Sequence, residues 1–121
     1  MSFPQVRMRR LRKTPALRTM MSQTQVRPSD LIYPIFVDES AKKPIPIESM
    51  PGYSRLPIDQ VVDEARQALE QDIKAILLFG IPAKKDPIGT GAYVQDGIIQ
   101  KTINKLKTEF NDELVLIADV C

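Results

Sequence analysis

Three long apolar runs separated by two helical stripes constrain this chain more than any other feature. The segments Leu31–Val37, Lys74–Gly80 (with Ala75–Phe79 at its centre) and Leu114–Cys121 are almost continuously apolar and rich in β-formers. Without polar alternation, such runs fit strands covered on both faces, as in a parallel sheet. Ile58, Val61, Val62, Ala65 and Leu69 fall on one helical stripe and predict a first helix over 57–71, with Pro57 in its first turn and Asp59, Asp63 and Glu64 at the positive end of the dipole. Ile98, Ile99, Thr102, Ile103, Leu106 and Phe110 predict a second helix over 96–110, capped by Asp96 and ended by Asn111 in a left-handed cap. Strand, helix, strand, helix, strand with right-handed crossovers is an α/β arrangement.

That list of elements does not close. Three parallel strands leave two bare edges and two faces, and two helices cannot cover both. Extending the pattern to a (β/α)8 barrel takes about 250 residues in all, so the chain is expected to be a fragment that ends on its only cysteine, Cys121. The connections 38–56 and 81–95 are long and hold Pro44, Pro46, Pro51, Gly52, Pro82, Pro87, Gly89 and Gly91. The first has room for a short hairpin, and both match the loops that carry function at the carboxyl face of such a barrel. Pro34 inside the first strand is expected where no ladder donor is needed, or at a bulge.

Charge and absences narrow the chemistry. With 121 residues the chain is one domain's worth of sequence or part of one, and 17 Lys+Arg against 15 Asp+Glu leave a net charge of +2. There is no histidine, which excludes Ser-His-Asp and Cys-His schemes and imidazole metal ligands. One cysteine allows neither an intrachain disulfide nor a self-contained thiolate zinc site, which suits a reducing, cytoplasmic setting. No apolar run approaches the roughly 18 residues of a membrane span. Residues 1–28 carry Arg7, Arg9, Arg10, Arg12, Lys13, Arg18 and Arg27, and no acid precedes Asp30. This basic arm, broken by Pro4 and Pro15, suits a contact with a partner subunit ahead of a solvated tail, with targeting and nucleic acid behind. Residues 29–121 then hold the strands and helices.

Side chains two apart on a strand share a face, so Asp119 and Cys121 point together, with Val115 and Ile117, at the carboxyl end of the last strand. Active sites gather at that end of parallel strands. Spacing alone leaves other readings open: a lone cysteine is often a small buried hydrophobe, and an Asp after a strand often caps the next helix. A second arrangement is a magnesium site of Asp38, Glu39 and Asp119, like that of a phosphoacceptor receiver domain. Its first connection is long for that fold. Lys84 and Lys85 lack a phosphate-loop pattern and read as solvated surface.

Five ordered blocks carry a family resemblance: Arg9-Arg10-Leu11-Arg12, Asp30 through Val37, Pro44-Ile45-Pro46 with Ser49-Met50-Pro51-Gly52, Leu78-Phe79-Gly80-Ile81-Pro82, and Ala118-Asp119-Val120-Cys121. Together the chain resembles the amino-terminal third of porphobilinogen synthases, also called 5-aminolevulinate dehydratases. The resemblance implies the β1-α1-β2-α2-β3 portion of a TIM (β/α)8 barrel, with an extended arm that embraces a neighbour in a homo-oligomer, commonly an octamer. It implies a lyase of haem and tetrapyrrole synthesis that condenses two 5-aminolevulinate molecules into porphobilinogen through Schiff-base lysines. Those lysines lie beyond residue 121, so the fragment alone is expected to be inactive, and Lys74, Lys84 and Lys85 match no such motif. In zinc-using members the third strand ends Asp-x-Cys-x-Cys, so Cys121 matches the first zinc ligand and Asp119 the aspartate beside the metal. An additional magnesium in the full-length protein is the secondary metal expectation. Gln71-Asp72 stands where relatives often have glycine, and Ile88–Tyr93 follows the family loop only loosely.

Overall fold

The computed structural model describes residues 3–7 and 9–119. In chain order the elements are α1 (Pro15–Met20), β1 (Ile32–Asp38), β2 (Ile45–Pro46), β3 (Ser54–Leu56), α2 (Val61–Glu70), β4 (Ala75–Ile81), α3 (Ile98–Phe110) and β5 (Val115–Ala118). They form a mixed α/β fold around one five-stranded sheet of order β2-β3-β1-β4-β5. The three expected strands are its parallel centre. β1 pairs with β4 from Ile32↔Ala75 to Asp38↔Ile81, and β4 pairs with β5 from Ala75↔Val115 to Leu78↔Ala118.

Register decides which side chains meet. Paired residues share a face and neighbours alternate, so Tyr33, Ile35, Val37, Ile76, Leu78 and Leu116 turn toward the helices. There they join Val61, Ala65, Ile98, Leu106 and Phe110 in the core. Each fully buried aliphatic side chain contributes about 1.5–3 kcal/mol, against about 0–1 kcal/mol for an exposed ion pair. The helices are therefore held by their stripes, and the Arg66–Glu109 and Lys105–Asp59 bridges across them add little. Pro34, Phe36, Leu77, Phe79, Val115 and Ile117 occupy the opposite face, which neither α2 nor α3 covers. On it the Phe36 and Phe79 rings stack 4.9 Å apart.

The 38–56 connection does contain a hairpin, in which β2 runs antiparallel to β3 and β3 joins the flank of β1 at Phe36↔Arg55 and Val37↔Leu56. Pro34 is not at a bulge. The β1–β4 ladder runs through it without a break, while β3 reaches only Phe36 and Val37, leaving that flank free where proline has no donor to give.

The helix starts differ from expectation. Residues Ile58–Gln60 form a 3-10 turn with Pro57 in front of it, and the α-helix begins only at Val61. α3 begins at Ile98 behind an extended Gly97, and Asp96 does not cap it. A Cβ at Gly97 would lie 2.8 Å from the Gly91 carbonyl oxygen, so close passage of the preceding loop, rather than a capping side chain, sets the start. Asn111 has φ 49° but ψ −113°, outside the left-handed helical region. The residue with left-handed backbone after α2 is Asp72, at φ 63°. Val120 and Cys121, the end of the third expected strand, lie outside the described residues.

Gly80 is where α3 comes closest to the sheet. A Cβ there would sit 2.5 Å from Ile99 Cγ1 and 3.1 Å from Ile98 Cγ2. Gly80→Ala is expected to destabilise the fold by about 1–3 kcal/mol through overpacking, read as a lowered urea midpoint. An unchanged midpoint would mean that α3 is not seated against β4 as described.

In the arm, α1 is a single short helix whose Thr14 hydroxyl accepts from the Leu17 N–H at 3.2 Å, with Pro15 at its first position. No residue of α1 or of the Arg10–Arg12 turn is buried, and Phe3, Leu11, Met20, Met21 and Val26 are exposed.

Candidate active site

The carboxyl ends of β1, β4 and β5 lie side by side, and the groups with chemistry to offer sit there. Asp119 follows β5 directly, and its N–H donates to the Leu78 carbonyl at 3.2 Å, extending the β4–β5 ladder by one step. Leu116 and Ala118 pair with Ile76 and Leu78 of the helix-facing set, so alternation puts Asp119 with Ile117 on the uncovered face, next to Phe79. The residue is exposed. Val115 and Ile117 share that face in β5, and continued alternation extends it to Asp119. Cys121, the fourth member, lies outside the described residues.

Asp38, the last residue of β1, is 3% exposed. Its Oδ1 accepts from the Ser40 N–H at 3.0 Å and the Ser40 hydroxyl at 2.7 Å, and its Oδ2 lies 3.3 Å from Arg55 Nη1. The Ser40 hydroxyl, aided by backbone N–H groups and the Arg55 guanidinium, holds the Asp38 carboxyl below its ordinary range against the opposing effect of burial. Glu39 goes the other way. Its N–H donates to the Ile81 carbonyl at 3.0 Å, its Oε2 accepts from the Ala83 N–H at 2.9 Å, and its Oε1 lies 3.7 Å from Lys101 Nζ.

The magnesium arrangement of Asp38, Glu39 and Asp119 is therefore corrected. Among the described residues no group of three or more His, Cys, Asp or Glu side chains comes together as metal ligands. Consecutive residues at a strand end diverge, and Ser40, Arg55, Ala83 and Lys101 already engage the oxygens of Asp38 and Glu39. Sequence reasoning saw these two acids and missed what they hold: Asp38 braces the hairpin connection and Glu39 the connection after β4. It also missed the Phe36–Phe79 stack, although alternation applied to both strands could have put the two rings on one face.

The connection from β4 to α3 is ordered by its own contacts. Asp86 Oδ1 accepts from the Thr90 N–H at 2.9 Å, Gly89 takes φ 65°, and Gln100 Nε2 donates to the Ala92 carbonyl at 2.9 Å. Lys84 and Lys85 are exposed on it. Two open surface hollows occur elsewhere. One in the arm is lined by Arg9, Arg10, Arg12, Lys13 and Arg18, and the other lies between α2 and α3 beside Asp59 and Lys105.

Comparison with known proteins agrees along the whole length. The family model described as Delta-aminolevulinic acid dehydratase matches residues 5–121. The Delta-aminolevulinic acid dehydratase of Archaeoglobus fulgidus is 50% identical over 119 residues, covering 98% of this chain and 36% of its own. That of Methanothermus sociabilis is 48% identical over 121 residues, covering 100% of this chain and 37% of its own. Among solved structures, the delta-aminolevulinic acid dehydratase (porphobilinogen synthase) of Toxoplasma gondii, in complex with the reaction product porphobilinogen, matches with a TM-score of 0.85 at 39% identity. The match covers 96% of this chain and 33% of that one. The chain thus spans about a third of the length of the relatives it matches, and it belongs to the delta-aminolevulinic acid dehydratase family.

Proposed function

We propose that this chain serves as the amino-terminal third of a full-length porphobilinogen synthase, a lyase that joins two 5-aminolevulinate molecules into one porphobilinogen with release of two waters. The observation that carries this reading is the family match from residue 5 to residue 121. The fold supports it. Three parallel strands with helices on one face only, and an apolar opposite face ending in Asp119, are what the first arc of a (β/α)8 barrel would present, its open face becoming the packed interior. Further strands would pair with the free edge of β5 and with the flank of β1 below Phe36. Residues 1–28 would act as the arm that contacts a neighbouring subunit in a homo-octamer, for which their exposed arginines and apolar side chains are suited.

In the reaction, this chain's share is Asp119. A carboxylate at a barrel mouth can hold the ammonium group of one substrate and accept its proton as the amine becomes a nucleophile. The stacked Phe36 and Phe79 rings form part of the apolar wall behind it and limit water at that end of the sheet. The Schiff-base lysines that hold the substrates would come from beyond residue 121, and we assign none of the lysines here to that task.

A metal is implied by the family reading, and the donor chemistry of the chain bears on which. Cys121 is a soft thiolate donor, which suits zinc and does not suit magnesium, whereas the hard oxygen donors Asp38 and Glu39 are engaged elsewhere. Cys121 would be one zinc ligand, completed by others outside this chain, and an additional magnesium would bind elsewhere in the full-length protein. Bound zinc supplies Lewis acidity toward a substrate oxygen. No helix among the described residues is long and apolar enough to cross a membrane, and a cytoplasmic enzyme fits this chemistry.

The test is direct. Full-length protein supplied with zinc and 5-aminolevulinate is expected to accumulate porphobilinogen, measured by its colour reaction with an aldehyde reagent. No pyrrole product under those conditions would overturn the assignment.

A further inference from the structure

The β4–α3 connection, residues 82–97, is long, carries two lysines, and leaves the sheet at the same end as Asp119. What holds it is informative. Its two legs are packed on each other, since a Cβ at Gly91 would lie 3.2 Å from the Pro82 ring. Its return leg is tied to α3 by Gln100, which donates to the Ala92 carbonyl at 2.9 Å. Its tip is closed by its own turn, in which Asp86 Oδ1 accepts from the Thr90 N–H at 2.9 Å, and Ile88 there is 74% exposed.

We propose that Glu39 is a positioning residue that fixes both ends of this connection to β1. Its backbone is anchored first, because the Glu39 N–H continues the β1–β4 ladder by donating to the Ile81 carbonyl at 3.0 Å. From that fixed point Oε2 accepts from the Ala83 N–H, two residues past the end of β4, at 2.9 Å. Oε1 lies 3.7 Å from Lys101 Nζ, in the first turn of α3, just beyond the far end of the connection. One side chain thus spans the exit from β4 and the entry to α3. The two contacts differ in weight. A backbone donor bonded to a carboxylate at this distance outweighs a longer ion pair between partly exposed groups.

Holding the two legs limits where Lys84 and Lys85 can be. The proposal rests on the reading of this chain as part of a porphobilinogen synthase, whose substrate carries a carboxylate. Lys84 and Lys85 are exposed on a connection that leaves the sheet at the Asp119 end, and a confined pair of ammonium groups there would raise the local concentration of such an anion, whereas a loose loop would spread that charge. The Glu39 side chain is engaged by Ala83 and Lys101 and not by Asp119, so its loss weakens substrate capture and spares the chemical step.

The experiment compares the full-length protein with its Glu39→Ala, Glu39→Gln and Lys101→Met variants by limited trypsin cleavage after Lys84 and by steady-state kinetics. Glu39→Ala is expected to speed that cleavage at least about fivefold, as a local opening equilibrium shifts. It is expected to raise KM for 5-aminolevulinate by about five- to tenfold with kcat within about twofold. Glu39→Gln keeps an acceptor for the Ala83 N–H and is expected to recover most of both losses, and Lys101→Met to match it. Wild-type cleavage in Glu39→Ala, a fall in kcat with KM unchanged, or a Gln variant as impaired as the Ala variant would each overturn the proposal. If Glu39→Ala fails to fold, Glu39→Ser, whose hydroxyl is too short to reach the Ala83 N–H, takes its place with the same expected cleavage and KM, and wild-type values in both would overturn the proposal. A wild-type protein that forms no pyrrole refutes the enzymatic reading, while the cleavage series still judges the clamp on its own.

Discussion

Asp119→Asn in the full-length protein is expected to lower kcat for porphobilinogen formation by about 10²- to 10³-fold, the range seen when a positioned acid–base group is removed. The substitution keeps the size and hydrogen-bonding shape of the side chain and removes its capacity to take a proton. It should not disturb folding, because Asp119 is exposed, and among the described residues its carboxylate has no hydrogen-bond or ion partner to lose. The backbone bond from its N–H to Leu78 is independent of the side chain. The measurement is single-turnover product formation at saturating substrate, beside a urea midpoint. A kcat within about tenfold of wild type, with the midpoint unchanged, would remove Asp119 from proton transfer.

Cys121→Ala is the second large effect. Loss of a group that merely supports a metal ligand costs about 10- to 100-fold in affinity, so loss of a thiolate ligand is expected to weaken zinc retention by at least about 100-fold. Dialysed variant protein should then hold little zinc and form little porphobilinogen, and excess magnesium, a hard cation, should not restore activity. Zinc content and product formation both equal to wild type would refute Cys121 as a ligand. Cys121→Asp sharpens the comparison. Replacing the soft donor with an oxygen donor is expected to lower zinc selectivity even where some metal binding survives.

The central strands were legible in the sequence because burial on both faces leaves an unmistakable apolar run, and all three appear within a residue or two of their expected starts. Period-two alternation also foretold the face that Val115 and Ile117 occupy, since that needs only the parity of one strand. What could not be read depended on contacts between distant segments. The late start of α3 follows from Gly97 passing against Gly91, and the tighter turn before α2 follows from how the chain leaves β3. The roles of Asp38 and Glu39 were hidden for a similar reason. Their partners Arg55, Ala83 and Lys101 lie 17 or more positions away, and only the pairing of β1 with β3 and with β4 brings them into reach. Nothing in local spacing separates a carboxylate that binds a metal from one that braces a loop. The basic arm announced its charge.

The sheet's second side has a consequence for biogenesis. Ile32 and Val115 leave 54% and 60% of their surface in water, on a wall whose strand β5 has an open edge. In a full-length protein this stretch would be made before the strands that cover it and would stay greasy until they are made. Slow translation of those strands would lengthen the interval in which nascent chains can stick to one another, so chaperone demand should track elongation speed there.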